Sequence, residues 1–295
     1  MYAAALVLAG CLLLVATALP AWLAHVDWPR RSPALALVLW QALGLAAGLL
    51  SLALLTTLAL APLGDTDLDA LGHLGGARWP TVAFLVLAAA VLLRLLTVLV
   101  ASTARTLKAR HDNRVLVDLV ASRNLLLRGA SVVDHDVPLA YCLPGLRPRL
   151  VLSRGTVELL TSSELQAVVA HEQAHLAQRH DLVVLPFVAL QATFPAVPAV
   201  ATAQAEVALL VELMADDAAA HGHDRTQLAR ALWKIGTGGA PLGALGLAGD
   251  DVLLRARRLL EPPARLGLPA RAGVTLLALV VAASPLSALV VPVLV

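Results

Sequence analysis

Charge is scarce in this chain of 295 residues: only 14% are Asp, Glu, Lys or Arg, where an ordinary soluble domain has about a quarter. Aromatic residues make up 3%, and the only lysines are Lys108 and Lys234. With 59% of residues hydrophobic and a mean hydropathy of +0.80, disorder is excluded, because such a chain has ample apolar surface to collapse. A wholly soluble globule is nearly excluded by the same figures. Net charge is +2, and no basic block stands out beyond those that orient membrane spans, which argues against direct nucleic-acid binding. The two cysteines, Cys11 and Cys142, form neither a disulfide framework nor a metal-ligand spacing; they read as small buried hydrophobes. There is no internal repeat, and no GxSxG or Cys/His pair that would indicate a serine or thiol enzyme.

What is present is a set of long apolar runs. A bilayer core needs about 20 apolar residues in a helix, and Tyr2 to Leu23, Pro33 to Leu63, Trp79 to Ser102 and Gly273 to Val295 meet that length. Leu8-Ala9-Gly10-Cys11 matches a lipoprotein-cleavage box. The stretch Met1 to Ala21 carries no Lys or Arg, however, and the apolar run passes straight through Cys11, so a retained span is expected. Arg30 and Arg31 lie between the first two runs, and Asp65, Asp67 and Asp69 between the second and third. Arg105, Lys108, Arg110 and Arg114 follow the third run, and Arg255, Arg257, Arg258, Arg265 and Arg271 precede the last. The positive-inside rule then places the N-terminus outside and residues from about 103 to 272 in the cytoplasm. Arg94 falls inside the third run and is expected to snorkel toward the cytoplasmic end. The alanine-, leucine-, valine- and arginine-rich composition suits a GC-rich bacterium, hence a multi-pass protein of the bacterial plasma membrane.

Within the cytoplasmic segment the pattern changes. Leu107 to Leu127 is mixed and helical, whereas Val137 to Cys142 and Arg149 to Leu152 read as two short strands joined by the Pro144-Gly145 turn. Thr161 and Glu164 then form a capping box ahead of an apolar run, so a helix starts near residue 162. Gly236 to Gly249 reads as a loop, after which Asp250 can cap a helix that Pro262-Pro263 ends.

The helix from residue 162 carries His171-Glu172-Gln173-Ala174-His175. Two histidines at i and i+4 share one face, so their imidazoles can bind one zinc, with Glu172 placed to take a proton from the water the metal activates. A catalytic zinc needs a third protein ligand. Glu212, with Asp216 one turn later, supplies it on a second helix, Asp216 reaching the other nitrogen of a ligating histidine. Glu206 faces elsewhere and lacks a partner acid at i+4. The 36 residues between His175 and Glu212 are too few for two full crossings, which need about 40, and one crossing would put the third ligand across the membrane. Pro186, Pro195 and Pro198 also break a continuous helix. The expectation is a helical hairpin, about residues 182–203, lying against or dipping into the cytoplasmic leaflet.

In this order of features the chain resembles the gluzincin integral-membrane peptidases, and among them the BlaR/MecR type of antirepressor peptidase: three N-terminal spans, a strand-turn-strand, HExxH with His180-Asp181 after it, an apolar hairpin, ExxxD, an Arg-rich helix from Leu254 to Leu260 and a final span. The resemblance implies a fold that is mainly α: a polytopic membrane protein of about four transmembrane helices with a small α+β metallopeptidase domain, arranged as a membrane region (1–102), a cytoplasmic peptidase domain (103–272) and a last helix (273–295). It implies one Zn2+ per chain, held by His171, His175 and Glu212, with Glu172 catalytic and Asp216 supporting. It also implies cleavage of a cytoplasmic protein, a winged-helix transcriptional repressor in such systems, and allows self-cleavage. A substrate strand would add at the edge Val137, Leu139, Ala140 and Cys142. Tyr141, His180, His221 and His223 are candidates for stabilising the oxyanion, although His180, His221 and His223 also suit solvated helix ends. The β-lactam sensors continue into a penicillin-binding domain where this sequence reaches Val295, so the expected signal comes through spans, outer loops or a partner. The HtpX-like quality-control peptidases share HExxH and the downstream glutamate. A non-catalytic membrane scaffold is the reading from another class.

Overall fold

The computed structural model describes residues 2–60, 79–120, 122–124, 130–145, 148–237 and 247–286. The acidic loop at residues 65–69, residues 125–129 and the stretch 287–295 lie outside the described residues. Twelve α-helices and four strands follow one another among them: α1 (Tyr2–Leu13), α2 (Leu19–His25), α3 (Trp28–Arg31), α4 (Pro33–Leu60), α5 (Trp79–Val120), β1 (Ser122–Asn124), β2 (Ala130–Val133), β3 (Ala140–Leu143), β4 (Arg149–Ser153), α6 (Arg154–Leu159), α7 (Ser162–Ala177), α8 (His180–Thr193), α9 (Pro198–Ala219), α10 (Arg225–Thr237), α11 (Leu247–Leu260) and α12 (Leu268–Ala283). A π-helical segment, Leu14–Ala18, joins α1 to α2.

Two compact units emerge, one of residues 1–101, 186–207 and 266–295, the other of residues 102–185 and 208–265. In the first, α4 packs against α1 and α12, burying Leu8, Leu39, Trp40 and Leu50, while Leu6, Leu93, Leu276 and Leu279 stand exposed. Apolar side chains on both the inside and the outside suit a lipid solvent. Among the described residues five helices, not four, are long and apolar enough to cross a membrane; the additional one is Pro198–Ala219, which is α9. The sequence reading sets a span here aside because a single crossing between His175 and Glu212 would put the third ligand across the membrane from the first two. Three further expectations need correcting. The third apolar run and the mixed helical segment after it are one helix, α5, which runs 42 residues and ends at Val120 rather than Leu127, about 63 Å at 1.5 Å per residue and roughly twice a bilayer core. Helix α12 starts at Leu268, because Gly267 and Pro269 set its first turn ahead of residue 273. Pro186 lies inside α8 rather than ending it.

Arg94 does not simply snorkel. Its Nε and Nη2 donate to the carbonyl of Thr193 at 3.3 and 3.0 Å, which caps the C-terminal end of α8, where the helix dipole favours a cation. Phe194 to Val197 form the turn, and α9 runs back from Pro198.

The second unit is built on a sheet of order β1-β2-β4-β3, antiparallel except for the parallel β2–β4 pair. The β3–β4 register aligns Ala140 with Leu152 and Tyr141 with Val151. Gly145 opens the connection at φ 148°, a backbone region that only glycine enters readily. Gly155 is equally constrained, since an added Cβ would sit 1.9 Å from the Asp136 carbonyl oxygen. One face of the sheet, with Ala130 and Leu152, packs on Leu165, Val168 and Val169 of α7 and Ala231 of α10. The opposite side of α7, at Ala167, meets Ala219, Leu228 and Leu259.

Helix α7 begins where the capping box requires. Thr161 receives the Glu164 amide, and Glu164 Oε2 accepts the Thr161 amide at 2.8 Å. The same carboxylate takes Lys234 Nζ at 2.7 Å, tying α7 to α10. Burial works to raise the Glu164 pKa, but Lys234 and Thr161 outweigh it and hold the carboxyl below its usual range. The stabilisation is therefore present above the ordinary glutamate pKa and is lost as pH falls through the lowered value. Lys234→Met leaves the buried carboxylate with only its cap, and is expected to cost about 1–3 kcal/mol. Thermal unfolding of the detergent-solubilised protein checks this, with Glu164→Gln showing less dependence on acid pH than the wild type.

Candidate metal centre

The sequence spacing turns into a compact cluster. His171 and His175 lie one turn apart on α7, and their Nε2 atoms approach to 3.1 Å. Glu212 of α9 brings Oε2 to 3.4 Å from His171 Nε2 and Oε1 to 3.4 Å from His175 Nε2. Two imidazole nitrogens and a carboxylate whose two oxygens face them can share a cation this way, with one atom from each residue within 4.8 Å of the others, and ligands around a tetrahedral zinc are about 3.3 Å apart. The donor set and its spacing therefore fit zinc, and this is the group of residues able to hold a metal among the described residues.

The outer nitrogens are also engaged. His171 is 5% exposed, and its Nδ1 lies 2.9 Å from Oδ1 of Asp216, itself 1% exposed. His175 Nδ1 meets His180 Nδ1 at 2.9 Å, while His180 Nε2 reaches Gln178 Oε1 at 3.1 Å. Burial, with His175 beside it, pulls His180 down to about 4, so its ring is neutral near pH 7. With Nε2–H donating to Gln178, His180 Nδ1 must accept from His175 Nδ1–H, which leaves the His175 Nε2 lone pair free for a metal. The turn that sends His180 back to α7 passes through Arg179 at φ 51°, an uncommon backbone for a side chain other than glycine.

Burial disfavours a charged His171, yet Asp216 and Glu212 outweigh it and push the ring up to about 9. The surrounding carboxylates thus favour a cation, and a bound metal displaces that proton. Glu172, next in sequence, is raised by burial. Cys142 of β3 lies beside it, and its thiol is pushed up to about 12 by burial and by the glutamate's charge, so the sulfur stays protonated.

Arg255 of α11 is the functional residue that sequence reasoning missed. Its Nε and Nη2 donate to Asp216 Oδ2 and Oδ1, both at 2.8 Å, and Nη1 lies 2.9 Å from Glu212 Oε2. Its side chain is 12% exposed. In the sequence it counted as one more orienting charge. The signal available was its place on an inward face, since Leu259, four residues on, is buried.

The four oxyanion candidates are not brought to the cluster in that role. Tyr141 alternates with Cys142 along β3 and pairs with Val151, whose neighbours Leu143 and Val133 form a cluster on the face away from α7. His221 and His223 reach back to the carbonyls of Asp217 and Ala219, closing the C-terminal turn of α9 beyond Asp216. His180 stands behind His175. The predicted substrate edge falls at a border of the sheet: β3 pairs only with β4 among the described strands, with Val137 and Leu139 exposed just ahead of it and Ala140 and Cys142 half-buried. Ordered strand geometry begins at Ala140 rather than Val137, because the Leu139 amide is taken by Ser153 Oγ.

Comparison with known proteins bears on this cluster. A model described as Peptidase family M48 matches residues 106–209, a stretch that includes HExxH and stops just short of Glu212. Plastoglobule-localized metallopeptidase 48, chloroplastic, from Arabidopsis thaliana is 41% identical over 68 residues, 22% of this chain and 20% of that protein. The aligned stretch thus spans about a fifth of the relative. No solved structure matches the chain.

Because Asp216 and His180 each hold the far side of a ligating imidazole, Asp216→Ala and His180→Ala are expected to weaken zinc binding by about 10- to 100-fold. Tyr141→Phe should leave it unchanged. Competition with a chromophoric chelator measures all three.

Proposed function

We propose that this chain is a membrane-bound zinc-dependent endopeptidase that cuts a cytoplasmic protein. The match of residues 106–209 to a metallopeptidase family supports zinc-dependent proteolysis. The observation that carries the reading in detail is the convergence of His171, His175 and Glu212, whose ligand atoms all lie within 4.8 Å of one another, with Glu172 beside them and a sheet edge adjoining.

In this reading zinc, when bound, makes a water nucleophilic near neutral pH and polarises the scissile carbonyl. Glu172 takes the proton of the attacking water at its carboxylate and delivers it to the departing amide nitrogen. Its raised pKa suits a group that must hold a proton between those two events. Asp216 and His180 fix the two imidazoles in the tautomers that present Nε2. Arg255 balances the charge of Asp216 and Glu212, so two buried carboxylates can remain ionised. A substrate segment added to β3 as a further strand would run past Glu172, because β3 packs against α7, the helix that carries it.

The finer reading is an antirepressor peptidase, one that cuts a winged-helix repressor after a signal arrives through the spans. It is supported by the order of spans, strand pair, HExxH, hairpin, ExxxD and Arg-rich helix. Quality control of the HtpX-like kind would use the same machinery on unfolded membrane proteins, so the substrate separates the two. A non-catalytic scaffold has no use for three donors at metal-ligand spacing.

The test uses the full chain purified in detergent, with a candidate repressor, an unfolded membrane protein and the chain itself as substrates. Wild type and Glu172→Gln are both expected to hold one zinc per chain by mass spectrometry. Cleavage should fall by about a thousandfold or more in the variant, and His171→Ala should lose the metal. A wild type without zinc, or a Glu172→Gln protein that still cuts, overturns the reading.

A further inference from the structure

Helices α10 and α11 pack together and bury one side each, at Leu228, Ala229 and Ala231 on α10 and Leu259 on α11. Their outer sides form a groove of about 670 Å3 lined by Arg230, Trp233, Leu253, Arg257 and Leu260. Trp233 is 46% exposed, Leu253 53% and Leu260 56%. Leu253, Arg257 and Leu260 follow i, i+4, i+7 spacing and therefore share one stripe, as do Arg230 and Trp233 at i, i+3. Trp233 is also the one tryptophan of residues 102–265. A soluble protein rarely leaves such a group bare unless something covers it.

Two features name the occupant. The first is chemical: tryptophan and leucine flanked by arginines is the composition of a helix face that lies in a lipid headgroup layer. The cations outweigh the acids, since Glu261 is the one acid of the groove and sits 3.8 Å from Arg257. The second is covalent. Seven residues, 261–267, join Leu260 to Leu268, where α12 begins, and α12 is one of the helices able to cross a membrane. Even fully extended, that connection reaches about 27 Å, and it carries Arg265, with Arg271 following in the first turns of α12. The end of the stripe is thus tethered near a membrane entry point.

We propose that the outer face of α10 and α11 is a lipid-contacting surface, with Trp233, Leu253 and Leu260 in the interfacial layer and Arg230 and Arg257 against anionic headgroups. The surface is separate from the zinc cluster and does not depend on its activity. Its effect would be to give the second unit a peripheral hold on the bilayer besides the helices that enter it.

The test places a fluorescent label at Leu253→Cys or Leu260→Cys, with Cys11 and Cys142 replaced by alanine, and at Glu158→Cys as a control on exposed α6. The labelled full chain is set in nanodiscs of phosphatidylcholine with or without phosphatidylglycerol, and circular dichroism checks that it is folded. The expected result is quenching by headgroup-proximal doxyl lipid at 253 and 260 but not at 158. Aqueous iodide quenching should be about threefold weaker at 253 and 260 than at 158. Arg230→Glu with Arg257→Glu, or removal of phosphatidylglycerol, should reduce the lipid quenching. Labels at 253 and 260 as open to iodide as the control overturn the proposal. So do labels shielded from iodide and lipid alike, which would mean that a protein, a second copy included, covers the groove.

Discussion

Two arginine forks hold α11 against α9, and the metal cluster depends on them. Arg255 spans both oxygens of Asp216 at 2.8 Å, and Arg258 spans both oxygens of Asp217 at 2.7 and 2.8 Å. Asp216 is almost wholly buried, so its charge is costly unless paired and hydrogen-bonded. Its partners come from two other helices, His171 from α7 and Arg255 from α11. The ion pairs therefore make the relative placement of three helices a single condition: a shift of any one leaves a buried charge without a partner. Placing Glu212 one turn before Asp216 on α9 then aims a third donor at the two histidines without further constraint.

The same condition explains why α9 is at once apolar and acidic. Its apolar residues suit the first unit over 198–207, while its last three turns need Glu212, Asp216 and Asp217 in the second. Helix α8 has the opposite polarity, opening with His180 and Asp181 and closing at Thr193 under the Arg94 cap. The hairpin thus carries a polar end that meets the histidines and an apolar end that meets other apolar helices. Arg94 secures the apolar end by using the orphan carbonyl that every helix terminus leaves. A lone arginine in an apolar run is tolerated there because it is hydrogen-bonded to backbone within its own unit.

Much of this was legible in the sequence. His171, Glu172 and His175 followed from i, i+4 spacing on a capped helix, Glu212 and Asp216 from the need for a third ligand and a fixed tautomer, and the hairpin from a count of residues. These readings are local, and local periodicity is what a sequence displays. What stayed hidden depends on which side of an element meets which neighbour. Arg255 and Arg258 looked like markers of membrane orientation, because nothing in the chain around them reveals that two of five arginines turn inward to carboxylates about 40 residues earlier. His180 looked like a candidate for the oxyanion, since proximity in sequence to HExxH does not say that a left-handed turn at Arg179 puts it behind His175. Tyr141 was misread for a related reason: a strand alternates its faces, and which face meets α7 is decided by the packing of Leu152 and Ala130, not by the strand itself.

The position of Cys142 links the two halves of the proposed chemistry. In an edge strand the side chains that face the adjoining helix are fixed by the pleat, so a strand that must accept a substrate at its open border also presents every second residue to α7. Cys142 is that residue beside Glu172, and its protonated thiol is a small neutral group where a larger or charged one would intrude. A charged residue there would shift the proton affinity of the raised carboxyl directly. In the proposed chemistry a small neutral side chain meets both demands, leaving room for a substrate strand on β3 beside the glutamate that would move the proton.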